Sequence, residues 1–156
     1  MLNKDDNLGK IVLAKNLVFL CANNEIKLDH AYNQGRAVVI ISEQKNNFYV
    51  CPCTTSNIPN RKDLFADNFM YLNNASLSEQ ITNLDKSSRY INAGTILQIP
   101  ICWRKEFGKI SEKSYFKLIN LILTLKRSYS LENFNDIKED LLNQQQTLAK
   151  TYSFHL

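Results

Sequence analysis

Two segments decide the architecture: Gln34-Gly35-Arg36-Ala37-Val38-Val39-Ile40-Ile41-Ser42 and, after a short polar turn, Tyr49-Val50-Cys51-Pro52-Cys53-Thr54-Thr55-Ser56. The β-branched run Ala37–Ile41 reads as a central strand buried on both faces. Glu43-Gln44-Lys45-Asn46-Asn47 makes a turn, and Phe48 to Cys53 returns as the partner strand of a hairpin. In such a hairpin the start of the first strand and the end of the second lie side by side. Arg36 is therefore expected beside Thr55.

Outward from the hairpin, Ile11 to Cys21 reads as one strand, and Asn23 to Gly35 as a long polar loop. Thr54 to Lys62 is expected to be loop and Leu64 to Leu72 a further strand. Asn73 to Asn92 reads as a loop holding a short helix. Thr95 to Ile101 reads as a strand whose Pro100 places it at an edge or a strand end. Ser111 is a suitable N-cap for a helix over Glu112–Lys126. The apolar residues of that helix run nearly all the way round, so it needs cover on two sides. Ser130 caps a second helix with Leu131, Phe134, Ile137, Leu141, Leu142 and Leu148 at helical spacing. Short strands followed by two C-terminal helices predict an α+β fold on a small, strongly curved sheet. The second helix is expected to cover the first within one chain, the rival arrangement being a subunit interface.

The chain has 156 residues, 44% hydrophobic and 22% charged, with only four Gly and three Pro, which excludes a disordered or collagenous chain and suits a single core. The net charge of +4 is too small to name a partner. Its distribution says more: residues 1–127 hold 17 of the 19 basic and 11 of the 15 acidic residues, or +6, and residues 128–156 carry −2. No signal peptide or membrane-length apolar run is evident, and a reduced, cytoplasmic protein is expected. Cys21, Cys51, Cys53 and Cys102 sit in or beside apolar runs and read as buried structural thiols, since their spacing and the scattered His30 and His155 do not make a zinc set.

A Gly-rich phosphate loop, G-x-S-x-G and H-E-x-x-H are all absent. What stands out is the pair of strand ends. An Arg fork beside hydroxyls matches phosphodiester geometry and can stabilise developing negative charge. The plainer interpretation is a solvated strand flank at Arg36 and a turn at Thr54-Thr55-Ser56.

Residues 34–56 resemble the MazF/PemK family of toxin endoribonucleases, whose R-P-[VA]-V-[VIL] strand is followed by one ending in V-P-x-T-[ST]. Ala93-Gly94-Thr95-Ile96-Leu97-Gln98-Ile99-Pro100 is similar to the later strand of that family, and Phe107-Gly108-Lys109-Ile110-Ser111 to the lead-in of its terminal helix. Tyr32-Asn33-Gln34-Gly35-Arg36-Ala37 fits the related ToxN-like toxins equally well, and these also carry extra C-terminal helical sequence. The resemblance implies an SH3-like curved β-barrel with C-terminal helices: a toxin domain over residues 1–127 and a helical extension over 128–156 packed on it. It implies a toxin of a toxin–antitoxin pair, cleaving single-stranded RNA without metal or cofactor to 2′,3′-cyclic phosphate and 5′-hydroxyl ends. Its partners would be RNA, a cognate antitoxin of protein or RNA, and a second copy of the chain. Arg36 and Thr55 match the catalytic positions, and Ser56 the neighbouring hydroxyl. Gln34, Arg61, Lys62 and Gln98 are the RNA-binding candidates and His30 the candidate acid or base. Ala37 stands where the family has Pro, and Leu97 and Ile99 stand where some relatives carry charged groups. The alternative is a non-catalytic module binding RNA or protein through the same groove.

Overall fold

The computed structural model describes residues 7–20, 25–54, 66–72, 90–101, 105–125 and 131–152. Strands β1 (Lys10–Ala14), β4 (Arg36–Gln44), β5 (Asn47–Thr54), β6 (Phe69–Tyr71), β7 (Tyr90–Asn92), β8 (Leu97–Pro100) and β9 (Glu106–Lys109) form an antiparallel sheet. β2 (Val18–Leu20) and β3 (Ile26–Leu28) pair as a separate ribbon. Helices α1 (Glu112–Thr124) and α2 (Leu131–Tyr152) complete the chain.

The predicted hairpin is β4–β5, the centre of the sheet. Its turn is tighter than the sequence suggests. Lys45 and Asn46 both take positive φ, 50° and 66°, the conformation whose twist matches two-residue hairpins. Residues 37–42 of β4 are all buried, as expected of a strand covered on both faces. The register runs Val38–Pro52, Val39–Cys51, Ile40–Val50 and then Ser42–Tyr49, so Ile41 is the extra residue of a β-bulge. The bulge leaves the Ile41 carbonyl outside the ladder, and side chains from both helices take it up. Gln144 Nε2 donates to it at 2.9 Å, and the Tyr115 hydroxyl lies 3.0 Å from it. Gln144 Nε2 and Ser42 Oγ both donate to Asp140 Oδ2, at 2.8 and 2.7 Å.

α1 starts on Ser111, whose side chain accepts from the Ser114 N–H as the sequence predicts. Its Leu118, Ile119 and Ile122 are fully buried. The cover comes from the sheet and from α2 of the same chain. Ile137, Leu141 and Leu148 of α2 enter the common core, each contributing roughly 1.5–3 kcal/mol by burial. Gln145 donates to Asn120 at 2.6 Å, and Phe116 and Tyr152 stack with centroids 5.5 Å apart.

Five expectations change. Ile11 to Cys21 is not one strand: β1 ends at Ala14, and Asn16 takes a left-handed turn (φ 60°) that starts a separate ribbon, a conformation Asn tolerates better than most residues. The Asn23–Gly35 segment is not all loop, since it contains β3, whose Ile26 and Leu28 stay exposed. Within Leu64–Leu72 a 3-10 turn at Ala66–Asn68 precedes a strand of only three residues, and Tyr90–Asn92, read as loop, is β7. Finally, the expected barrel is not closed among the described residues. The order is β6-β7-β5-β4-β1-β9, with β6 and β9 at opposite ends. The outer edge of β5 divides its hydrogen bonds, giving Asn47–Val50 to β8 and Cys53–Thr54 to β7. The α+β class and the two C-terminal helices stand.

Candidate functional site

The segment before β4 explains how Arg36 is held. Asp29 O accepts from the Tyr32 N–H at 3.0 Å, and Ala31 O from the Gly35 N–H at 2.7 Å, coiling residues 29–35 into consecutive turns. Gly35 closes them at φ +95°, in a place where a Cβ would come within 2.7 Å of Leu13 Cδ1. Both the conformation and the space therefore require glycine. The Asp29 N–H donates to Leu17 O at 3.1 Å, and the Asn16 N–H to Tyr32 O at 2.7 Å, which ties the turn to the end of β1. The result lays the Asp29 carboxylate against the guanidinium of Arg36.

That contact is a two-pronged fork. Arg36 Nε donates to Asp29 Oδ2 at 2.9 Å and Nη2 to Oδ1 at 2.6 Å. Nη1 donates to the Cys53 carbonyl across the hairpin at 2.8 Å. Three of the five N–H groups are thereby engaged, and one on each terminal nitrogen has no further partner among the described residues. The Asp29 side chain is 1% exposed and that of Arg36 20% exposed, so the carboxylate is sealed in while part of the Arg36 side chain meets solvent. Burial alone would raise the Asp29 pKa. The Arg36 hydrogen bonds and charge, the Ala31 N–H and the nearby His30 outweigh it and hold the carboxyl below its ordinary value. The arrangement fixes the cation in one orientation at the hairpin mouth, as a residue serving an anionic ligand requires.

Cys51 and Cys53 are buried thiols. Burial pushes the Cys53 pKa up to about 12 against the opposing pull of Arg36, so the thiol stays neutral and is no nucleophile. Among the described residues, no three His, Cys, Asp or Glu side chains gather as a metal site would require. No described helix is long and apolar enough to cross a membrane.

The other predicted site residues divide into two groups. His30, beside Asp29 in the chain, and Gln34, beside Gly35, are exposed on the same turn segment that positions Arg36. Gln98 is exposed on β8, two strands away. Thr55, Ser56, Arg61 and Lys62 lie outside the described residues, as do Cys21, Cys102 and His155. The hairpin does bring its two ends together, since Arg36 reaches the residue before Thr54. Sequence reasoning missed Asp29. Its signal was available as one of two acids, with Glu25, in a polar segment ending in Gly-Arg, but which loop residue would fold back on Arg36 depends on the Gly35 turn.

No family model matches the sequence, and no curated protein matches it. Among solved structures, the chain is similar to an endoribonuclease in complex with its cognate antitoxin from a mycobacterial species. The TM-score is 0.47 and the identity 13%, over 77% of this chain and 93% of that one. It is also similar to an endoribonuclease from a mycobacterial species, with a TM-score of 0.40 and 13% identity over 70% of this chain and 86% of that one. With TM-scores below 0.5, the reading of function rests on this chain's own residues.

Proposed function

We propose that the protein is an endoribonuclease, the toxin of a toxin–antitoxin pair, that cleaves single-stranded RNA without a metal ion. The observation that supports this reading is the fork-held, part-exposed Arg36 at the mouth of the β4–β5 hairpin, with two N–H groups that have no partner among the described residues. Beside it stands the resemblance of residues 34–56 to the toxin endoribonuclease hairpin.

In the proposed reaction the ribose 2′-oxygen attacks the adjacent phosphorus while the bond from phosphorus to the 5′-oxygen breaks. The 2′-hydroxyl proton passes to a base, and the departing 5′-oxygen takes up a proton. Products are a 2′,3′-cyclic phosphate and a 5′-hydroxyl. Negative charge builds on the non-bridging oxygens, and Arg36, already oriented, stabilises it with little reorganisation. Thr55 positions a phosphate oxygen and Ser56 assists. His30, exposed on the adjoining turn, takes the proton-transfer role. Gln34, Arg61, Lys62 and Gln98 hold the strand. The antitoxin, protein or RNA, would act by covering this groove. Residues 1–127 would form the toxin domain, with 128–156 as its helical extension.

The pairing of Arg36 with Asp29 also favours a second reading, a non-catalytic RNA-binding module, because a neutralised guanidinium has less charge to give. Cleavage of a single-stranded RNA by the purified protein in EDTA, with end-group analysis, separates the two. Arg36→Lys keeps a cation against Asp29 but loses the fork. It is expected to lower cleavage roughly 100-fold or more while the protein stays folded. Absence of RNA cleavage by the wild type would leave the binding module standing.

A further inference from the structure

A cavity of about 930 Å³ opens between the end of β1 and strand β8. It falls within the range of small-ligand sites. Leu13, Leu17, Leu97 and Ile99 give it apolar walls, and three side-chain amides, Asn16, Gln98 and Asn133, join its lining. The charged groups that line it are Lys15 and Lys105, with no carboxylate among the described lining residues.

The cavity is structurally continuous with the Arg36 turn. Ala14, which lines it, pairs directly with Arg36 in the β1–β4 ladder. The stem of Lys15 lies close against Gly35, the residue before Arg36, where a Cβ would stand 3.1 Å from Lys15 Cγ. On the far side, Asn133 Nδ2 donates to Ile96 O at 2.9 Å, which pins the start of α2 to the strand carrying Gln98 and leaves the amide oxygen as an acceptor. Lys105 sits 5.2 Å from the centre of the Phe107 ring, a contact that steadies its ammonium group.

We propose that this cavity seats one nucleotide of a single-stranded RNA next to the phosphate held at Arg36, with the base between the aliphatic walls and the amides and the backbone phosphate at Lys15 and Lys105. The proposal rests on the RNA reading above. Side-chain amides present a donor and an acceptor together, the pattern that base edges match. Two lysines in a lining that holds no carboxylate among the described residues supply the sequence-independent pull on phosphate. α2 would thus contribute to substrate selection through Asn133, besides covering α1.

The test uses the full chain and a short fluorescein-labelled 2′-O-methyl oligoribonucleotide, which lacks the attacking hydroxyl and stays intact. A Lys15→Gln/Lys105→Gln double variant changes only exposed side chains. It is expected to bind roughly tenfold more weakly at moderate salt, and to flatten the slope of log K against log salt by about 1.4, near 0.7 for each lost phosphate contact. Gln98→Leu is expected to leave the slope alone. On cleavable RNA it should change the preferred base beside the cut by roughly fivefold. Should the wild type cleave RNA while these variants bind with wild-type slope and cut with wild-type preference, the cavity assignment is overturned and the endoribonuclease reading survives. Neither binding nor cleavage by the wild type sinks both. Loss of poly-glutamate binding in the double variant with RNA binding unchanged would overturn it in favour of an acidic peptide.

Discussion

The two ends of β4 solve the same problem in opposite ways. At its start, a side chain from the strand itself, Arg36, captures a backbone carbonyl of the partner strand, that of Cys53. At its far end, Gln144 of α2 captures the carbonyl of Ile41 that the bulge expels from the ladder, with the Tyr115 hydroxyl of α1 placed between that carbonyl and Gln144 Oε1. The far network is mostly sealed: Ser42 is fully buried, Tyr115 is 2% exposed and Gln144 4%, with only Asp140 half-buried. Its donors are spent on internal acceptors, and it contains one carboxylate, Asp140, with neutral partners in Ser42 and Gln144. The near network holds a full ion pair and leaves the Arg36 side chain 20% exposed. A closed polar network fixes packing, whereas an open one with unspent donors can also meet a ligand.

Asp29→Asn gives the largest effect within this contrast. The isosteric amide keeps the shape and can still accept one hydrogen bond, but the charge that fixes the fork is gone. Arg36 is part-exposed and can rehydrate, so the stability loss should be about 2 kcal/mol, below the cost of orphaning a fully buried ion. Because Asp29 is a positioning residue, RNA cleavage is expected to fall roughly tenfold in kcat with KM much less affected. An equal fall in cleavage for a distant variant of matched stability would reduce Asp29 to a purely structural role.

The near end was only half legible in the sequence. The β-branched run and its return strand announced the hairpin, and the hairpin alone brought Arg36 to the closing end of β5. Asp29 was not legible because its position depends on turns closed by a glycine at positive φ against Leu13, a tertiary requirement. The far end was legible as helices but not as a network. Helical spacing marked Ile137, Leu141 and Leu148 as apolar face, and Ser111 as a cap. It could not show Gln144 as buried, because its partner carbonyl exists only where the bulge displaces Ile41. Closure of the sheet was misread for a related reason: strand count does not reveal that β5 splits one edge between β7 and β8.

Tyr115→Phe sharpens the contrast from the sealed end. The hydroxyl lies between the Ile41 carbonyl and Gln144 Oε1, so its removal leaves Gln144 Oε1 without that donor in a dry site, while Ile41 O keeps Gln144 Nε2. The expected cost is about 1–2 kcal/mol in urea unfolding, with an unchanged slope against denaturant. RNA cleavage at a temperature where the variant is fully folded should match the wild type. A selective loss of cleavage there would mean the two ends of β4 are energetically coupled.

The smallest effect is in acid, and its sign follows from Asp29. The folded chain holds this carboxyl below its ordinary value of 3.8, so near that pH the unfolded chain binds more protons. The associated stability is fully present above 3.8 and drains away as pH falls through the lower folded value. Wild-type stability should therefore drop on acidification below about pH 4, on top of the losses from other carboxylates common to both proteins. Asp29→Asn lacks this component, so the gap between the two thermal midpoints should be widest near neutrality and narrow toward pH 3. A gap that stayed constant over that range would show that the charge of Asp29 contributes nothing to the fork, leaving its shape alone to hold Arg36.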